Sequence, residues 1–136
     1  MRPGSLLVLA GALALAACAH DDGPARSEAA AVSRAVEVLR NADNAQKSAP
    51  LAALRALSCT VPEICGVQSL CVAAYEEHVR VLALIDAARA SAASAPPDAL
   101  KDALAAAEAG LARAKAQTDA CASKQGELAR KYKVAR

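Results

Sequence analysis

The sequence predicts an all-α protein built around a long antiparallel helical hairpin, and three observations carry that prediction. Alanine supplies 39 of the 136 residues, and the abundant Leu, Glu, Lys and Arg also favour helix. Glycine is sparse and β-branched residues are few, which excludes a β-sandwich or a β-barrel. The stretch of about 30 residues that follows Pro62 contains no proline, so one helix can run through it.

The length and composition also limit the size of the hydrophobic core. A chain of 136 residues has room for one small domain, and it contains two tyrosines but no phenylalanine or tryptophan. An alanine methyl group contributes only about 0.8 kcal/mol when it is buried. The sequence therefore predicts a single domain with a thin core.

Hydrophobic spacing and helix breakers predict four helices, over residues 26–46, 50–58, 61–94 and 97–133. In the first helix, Ser27 is a candidate cap and apolar residues follow at spacings of three and four. The third helix opens with Thr60 and Glu63 in the spacing of a capping box. Pro62 stands in its first turn, where a missing amide proton costs nothing. Together, the four helices predict a small bundle in which one or two N-terminal helices pack on the hairpin.

The third and fourth helices have matching coiled-coil seams, since apolar and small residues alternate at spacings of four and three. A turn near residue 96 pairs residues whose numbers sum to about 192. We therefore expect Val81 beside Leu111, Ala88 beside Leu104 and Ile85 beside Ala107, together with a partly buried His78. Gly110 lies between Ala106 and Ala114 and is expected to admit another helix closely, namely the first.

Apart from Cys18, the chain has four cysteines, and these predict two disulfides, because an even number in a small chain that is expected to be exported favours pairing. Cys65 and Cys71 are six residues apart on one helix, about 9 Å, which is too far for a bridge. Pairing Cys59 with Cys71 would leave Cys65 to pair with Cys121, which is out of the register just given. The predicted disulfides are therefore Cys59–Cys65 and Cys71–Cys121.

The N-terminus reads as an export signal that precedes a lipid anchor. Residues 1–17 carry one positive charge, an apolar run too short to span a bilayer, and small residues at the end. Leu15-Ala16-Ala17-Cys18 resembles the lipobox of bacterial lipoproteins. That resemblance implies cleavage before Cys18 and a lipid on Cys18. The polar composition of the residues that follow predicts a tether over residues 18–25. Because Ala19 rather than Asp follows Cys18, the resemblance implies the outer membrane where the cell has one.

The C-terminal end is basic and is a candidate contact for anionic material. The last residues of the chain carry several cations and one acidic residue, Glu127. The cations at the very end are Lys131, Lys133 and Arg136. Cations there complement the helix dipole, and they also suit an anionic envelope polymer or lipid head group. Since the expected site is outside the cytoplasm, nucleic acid is not an expected partner.

No motif for catalysis, a cofactor or a metal emerges from the sequence. The chain has two histidines, neither in a nucleophile setting, and no glycine-rich phosphate loop. The sequence therefore predicts a non-catalytic, membrane-anchored envelope lipoprotein that acts as a structural or binding adaptor. The alternative is a small-ligand or metal-binding module that uses His78 with reduced thiols.

Overall fold

The computed structural model describes residues 22–135 and confirms the all-α fold. Its helices are α1 (Gly23–Asn41), α2 (Ser48–Ala56), α3 (Pro62–Ser91) and α4 (Pro97–Lys131), with a short 3₁₀ turn at Asn44–Gln46. The described residues contain no β-strand. α3 and α4 form the predicted hairpin, and α1 and α2 pack against it.

The hairpin register agrees with the prediction. The Cys71–Cys121 disulfide joins α3 to α4 with a Cα–Cα distance of 4.9 Å, and an ion pair joins Glu63 to Lys131. The predictions for residues 1–21, which include the signal peptide and Cys18, concern residues outside the described range, as does the prediction for Arg136.

The hydrophobic core lies in one half of the molecule only. Its residues come from all four helices, and none of them lies between residues 82 and 111. We call residues 82–111 the tip and the remaining described residues the base. The core of the base comprises Ala29, Val32, Val36, Leu39, Leu51, Leu54, Ile64, Val67, Cys71, Ala74, Tyr75, Cys121 and Leu128. The tip is therefore a two-helix extension of a four-helix base.

Helix α1 differs from its predicted bounds of 26–46 at both ends. It begins at Gly23, with Pro24 in the first turn, so it takes up part of the predicted tether 18–25. It ends at Asn41 because the buried Lys47 ammonium caps it. Lys47 Nζ donates hydrogen bonds to the carbonyl oxygens of Leu39 at 3.0 Å, Arg40 at 3.2 Å and Ala42 at 2.8 Å.

The predicted capping box at the start of α3 is wrong. The N-cap residue is Val61, and no side chain within the helix caps it. Glu28 of α1 caps the helix instead. Its carboxylate accepts from the Thr60 N–H and hydroxyl, both at 2.8 Å, and from the Val61 N–H at 3.0 Å. These bonds hold the pKa of Glu28 below its ordinary value, the Val61 N–H bond being the largest cause.

The seam of the hairpin is narrower than predicted. Leu104 is 54% exposed and Leu111 is 41% exposed, so neither packs in the seam as expected. Val81 packs against Gly110, so it is α3, not α1, that approaches this glycine. Small buried residues, Ala107, Gly110 and Ala114, bring the two helices together and leave the larger leucines outside.

The Gly110 contact predicts a loss of stability on substitution. A Cβ at this position would meet Val81 Cγ2 at 2.7 Å, and the β-branched Val81 has little rotamer freedom to move aside. Gly110→Ala should therefore lower the free energy of unfolding by about 1–3 kcal/mol, despite the better helix propensity of alanine. Urea denaturation followed by circular dichroism measures this change in the free energy of unfolding.

Gly66 is the matched control, because a Cβ there meets nothing within 4 Å. Gly66→Ala should raise the free energy of unfolding by up to about 1 kcal/mol. A Gly110→Ala variant as stable as Gly66→Ala would show that the close approach of Val81 is wrong.

Candidate functional site

The two disulfides are those predicted, and their surroundings differ. Cys71 and Cys121 are fully buried in the core, whereas Cys59 and Cys65 are partly exposed and lie 5.4 Å apart between Cα atoms. The first bridge fastens α3 to α4. The second closes the loop around Pro62 and fixes the point at which the chain enters α3.

The structure does not bring together the ligand set of the metal-binding alternative. Among residues 22–135, one group of three potential ligands lies within 4.8 Å, namely Glu28, Cys59 and Cys65. Both thiols of this group are joined in the disulfide, and the Glu28 carboxylate accepts three hydrogen bonds at the start of α3. His78 does not belong to this group.

His78 is half-buried, and it faces the connection between α1 and α2. Its Nε2 lies 3.5 Å from Asn44 Oδ1, and its ring stands edge-on to Tyr75 at 6.2 Å. The Lys47 ammonium lies 5.8 Å from the centre of the same Tyr75 ring. Burial, and then the positive charge of Lys47, lower the pKa of His78 below its ordinary value.

Two glutamines join the helices of the base by polar contacts from buried positions. Gln125 donates to the Ser33 carbonyl at 3.1 Å and to Glu37 Oε1 at 3.0 Å, and it accepts from Arg40 at 2.6 Å. Gln68 donates to the carbonyls of Leu54 and Leu57, where α2 ends. The contacts of Gln125 and Glu28 were not predicted, because their partners are distant in the chain. The partners of Lys47 are only five to eight residues away, but they lie across the end of α1, which was predicted to continue to residue 46.

The basic end of the molecule adjoins the start of α1. Lys133 is exposed, and its carbonyl accepts a hydrogen bond at 3.0 Å from Arg26 in the first turns of α1. Lys131 is paired with Glu63, which raises the pKa of the lysine. Arg26 and Arg130, both exposed, form no ion pair with a described acidic residue. The basic surface therefore includes Arg26. The sequence alone did not indicate this, because Arg26 and Lys133 are 107 residues apart in the chain.

The tip carries an apolar groove of about 930 Å³ along the hairpin. Its floor is formed by the buried Ala88 and Ala107, and Leu100, Leu104 and Leu111 stand along α4. The charged residues at its rim are Arg89, Lys101 and Glu108. A groove of this kind accommodates another helix, because alanines leave room for a backbone to approach and leucines supply apolar contact.

The groove exists because α1 is shorter than α4. Leu104, Leu111, Thr118 and Gln125 follow at seven-residue spacing, so they form one stripe along α4. At Gln125 this stripe is covered by α1, and the side chain is 2% exposed. Exposure then rises through Thr118 to Leu111 and Leu104, past the end of α1. A comparison of the predicted helix lengths would have revealed this uncovered stripe.

Within residues 22–135, no helix combines the length and apolar character required to cross a membrane. Comparisons with protein-family models, with curated proteins and with solved structures found no match for this chain.

The low pKa of His78 predicts how stability depends on pH. At pH values above the ordinary His pKa of 6.5, the side chain is neutral in both the folded and the unfolded chain. Below that value the unfolded chain binds the proton more readily, so the folded state loses stability as the pH falls. Wild type should therefore lose more unfolding free energy than His78→Gln between pH 7.5 and about 5.5.

Urea denaturation at several pH values in this range measures the effect. The carboxylates and His20 are present in both chains, so their contributions to the pH dependence cancel when the two unfolding free energies are subtracted. Parallel curves for the two chains would contradict the effect of burial and of the Lys47 charge on the pKa of His78.

Proposed function

We propose that this protein is an exported, non-catalytic lipoprotein that acts as a membrane-anchored adaptor. The lipobox resemblance supplies the anchor at Cys18. The observation that carries the proposal is that the start of α1 and the basic C-terminal turn share one end of the molecule, opposite the tip.

This arrangement places the anchor next to the base. Four peptide steps lead from Cys18 to Asp22, and no chain of that length spans more than about 14 Å. A lipid on Cys18 would therefore hold the beginning of α1 at the membrane surface. Arg26 and Lys133, which share that end, would lie close to the lipid head groups.

The charge of this end supports contact with an anionic surface. Arg26, Arg130 and Lys133 are exposed cations, while Glu63 is already paired with Lys131. A basic residue near an anionic membrane contributes about 1 kcal/mol of attraction, and a lipid anchor combined with basic residues holds more firmly than one acyl chain alone. The cations would orient the base on the membrane.

The length of the hairpin then sets the position of the tip. Helix α4 has 35 residues, which corresponds to about 52 Å of helix. With the base at the membrane and the hairpin upright, the hairpin turn is about 50 Å from the surface, and the groove runs from there back to Leu111 at about 30 Å. A rigid spacer that ends in an apolar groove is suited to holding a helical partner at a fixed distance. The outer membrane is the proposed location, because Ala19 follows Cys18.

A fluorescence quenching experiment tests this orientation. The full chain, lipidated in a bacterial host, is reconstituted into anionic vesicles whose head groups carry a quencher, with an unnatural fluorescent residue at Ala135 or at Ser94. The base probe should be quenched and the tip probe should not, since about 50 Å separates the hairpin turn from the surface. Arg130→Gln/Lys133→Gln should reduce quenching at Ala135 at low salt.

Two controls accompany the measurement. Arg113→Gln/Lys115→Gln removes the same charge from positions about 24 Å or more along α4 from Lys131, and it should leave the quenching unchanged. Cys18→Ala should abolish association with the membrane fraction. Equal quenching of both probes, or retention of Cys18→Ala in the membrane, would overturn the proposal.

A further inference from the structure

We infer that the groove of the tip binds the tip of a second copy of this chain in antiparallel orientation, so that two hairpins form a four-helix bundle. The inference goes beyond the adaptor proposed above. In an antiparallel pair the two bases point in opposite directions, so the two Cys18 anchors would lie in two facing membrane surfaces and not side by side in one membrane.

The apolar surface of the tip calls for a partner of this shape. In the base, α1 covers the stripe of α4 that contains Gln125, whereas in the tip the same stripe ends in the exposed Leu111 and Leu104. Two helices alone bury little apolar surface, while a four-helix arrangement encloses the residues that line the groove. The two helices of a second hairpin would cover the tip as α1 and α2 cover the hairpin in the base.

The charges at the rim select the orientation. Lys101 and Glu108 lie two turns apart on α4 and flank Leu104. When two α4 helices lie antiparallel about a twofold axis near residues 104 and 105, Lys101 of each copy faces Glu108 of the other. Leu104 of each copy then faces Ala105 of the other, which places a large side chain against a small one. Parallel copies would set Lys101 against Lys101.

Arg89 lies on α3 at the rim of the groove, as Lys101 does on α4, and both are nearer to the hairpin turn than Glu108 is. Arg89 pairs with the exposed Asp86 at 3.5 Å, so the polarity along the groove rests mainly on Lys101 and Glu108. The groove is complementary to its own antiparallel copy, which is the requirement for a closed twofold dimer.

Native mass spectrometry of the full chain, lipidated and held in detergent, tests the inference. The wild-type chain should give dimers. Leu104→Glu should weaken dimerisation by about a hundredfold, because it removes a leucine contact from both copies. Leu84→Glu is the control, since Leu84 is 40% exposed on the tip but does not line the groove, and it should dimerise like wild type.

Charge reversal tests the orientation. Lys101→Glu and Glu108→Lys should each weaken the homodimer by about tenfold, because each turns two attractive pairs into repulsive ones. A mixture of the two variants should form the heterodimer, in which Glu faces Lys at every pair. A photo-crosslinking residue at position 104 should join to residues 101–108 of the second copy in wild type.

Three results would overturn the inference. They are a wild-type chain that stays monomeric, a Leu104→Glu variant that dimerises like wild type, and a mixture of the two charge variants that forms no heterodimer. Crosslinks from position 104 to lipid or to a different protein would identify another occupant of the groove. Because the measurement is made without a membrane, its failure leaves the quenching result of the anchored chain standing.

Discussion

The disulfide between Cys71 and Cys121 fixes the register of α3 and α4, and the other long-range contacts of the base depend on that register. Alanine-rich helices bury little surface per residue, so apolar packing alone holds them weakly. The bridge closes a loop of about 50 residues and, on the chain-entropy model, supplies roughly 4 kcal/mol. With α3 and α4 held in place, Glu63 reaches Lys131, Val81 fits against Gly110, and Gln125 faces the backbone of α1.

Side chains from outside each helix then close three helix ends in the base. Lys47 caps α1, Gln68 caps α2 and Glu28 caps α3. Each bond satisfies backbone groups that the end of a helix leaves without a partner, and an unsatisfied buried group costs about 1–3 kcal/mol. These contacts are few, and they all lie in the base. The tip has no such contacts from α1 or α2, which is why it is a two-helix arm with its leucines exposed.

The sequence was sufficient for the parts of the fold that depend on local spacing. Proline positions and seven-residue spacing predicted the hairpin and its register, and the register predicted the pairing of Cys71 with Cys121. The misassigned features depend on contacts between distant residues. Thr60 and Glu63 have the spacing of a capping box, but Glu28 takes the place of the local cap. Leu104 and Leu111 fit the spacing of a seam, but Gly110 brings α3 onto a neighbouring face of α4. Arg26 joins the basic end only through folding.

Hydrogen exchange measured by mass spectrometry tests most directly whether the buried disulfide organises the base. In wild type, the amides of residues 64–75 and 121–129 should exchange together at the free energy of global unfolding, while those of residues 82–107 should exchange at lower free energy through local opening. In Cys71→Ala/Cys121→Ala, protection should fall throughout the base, including α1 and α2. Equal protection of tip and base in wild type, or a loss confined to the residues beside the missing bridge, would contradict this account.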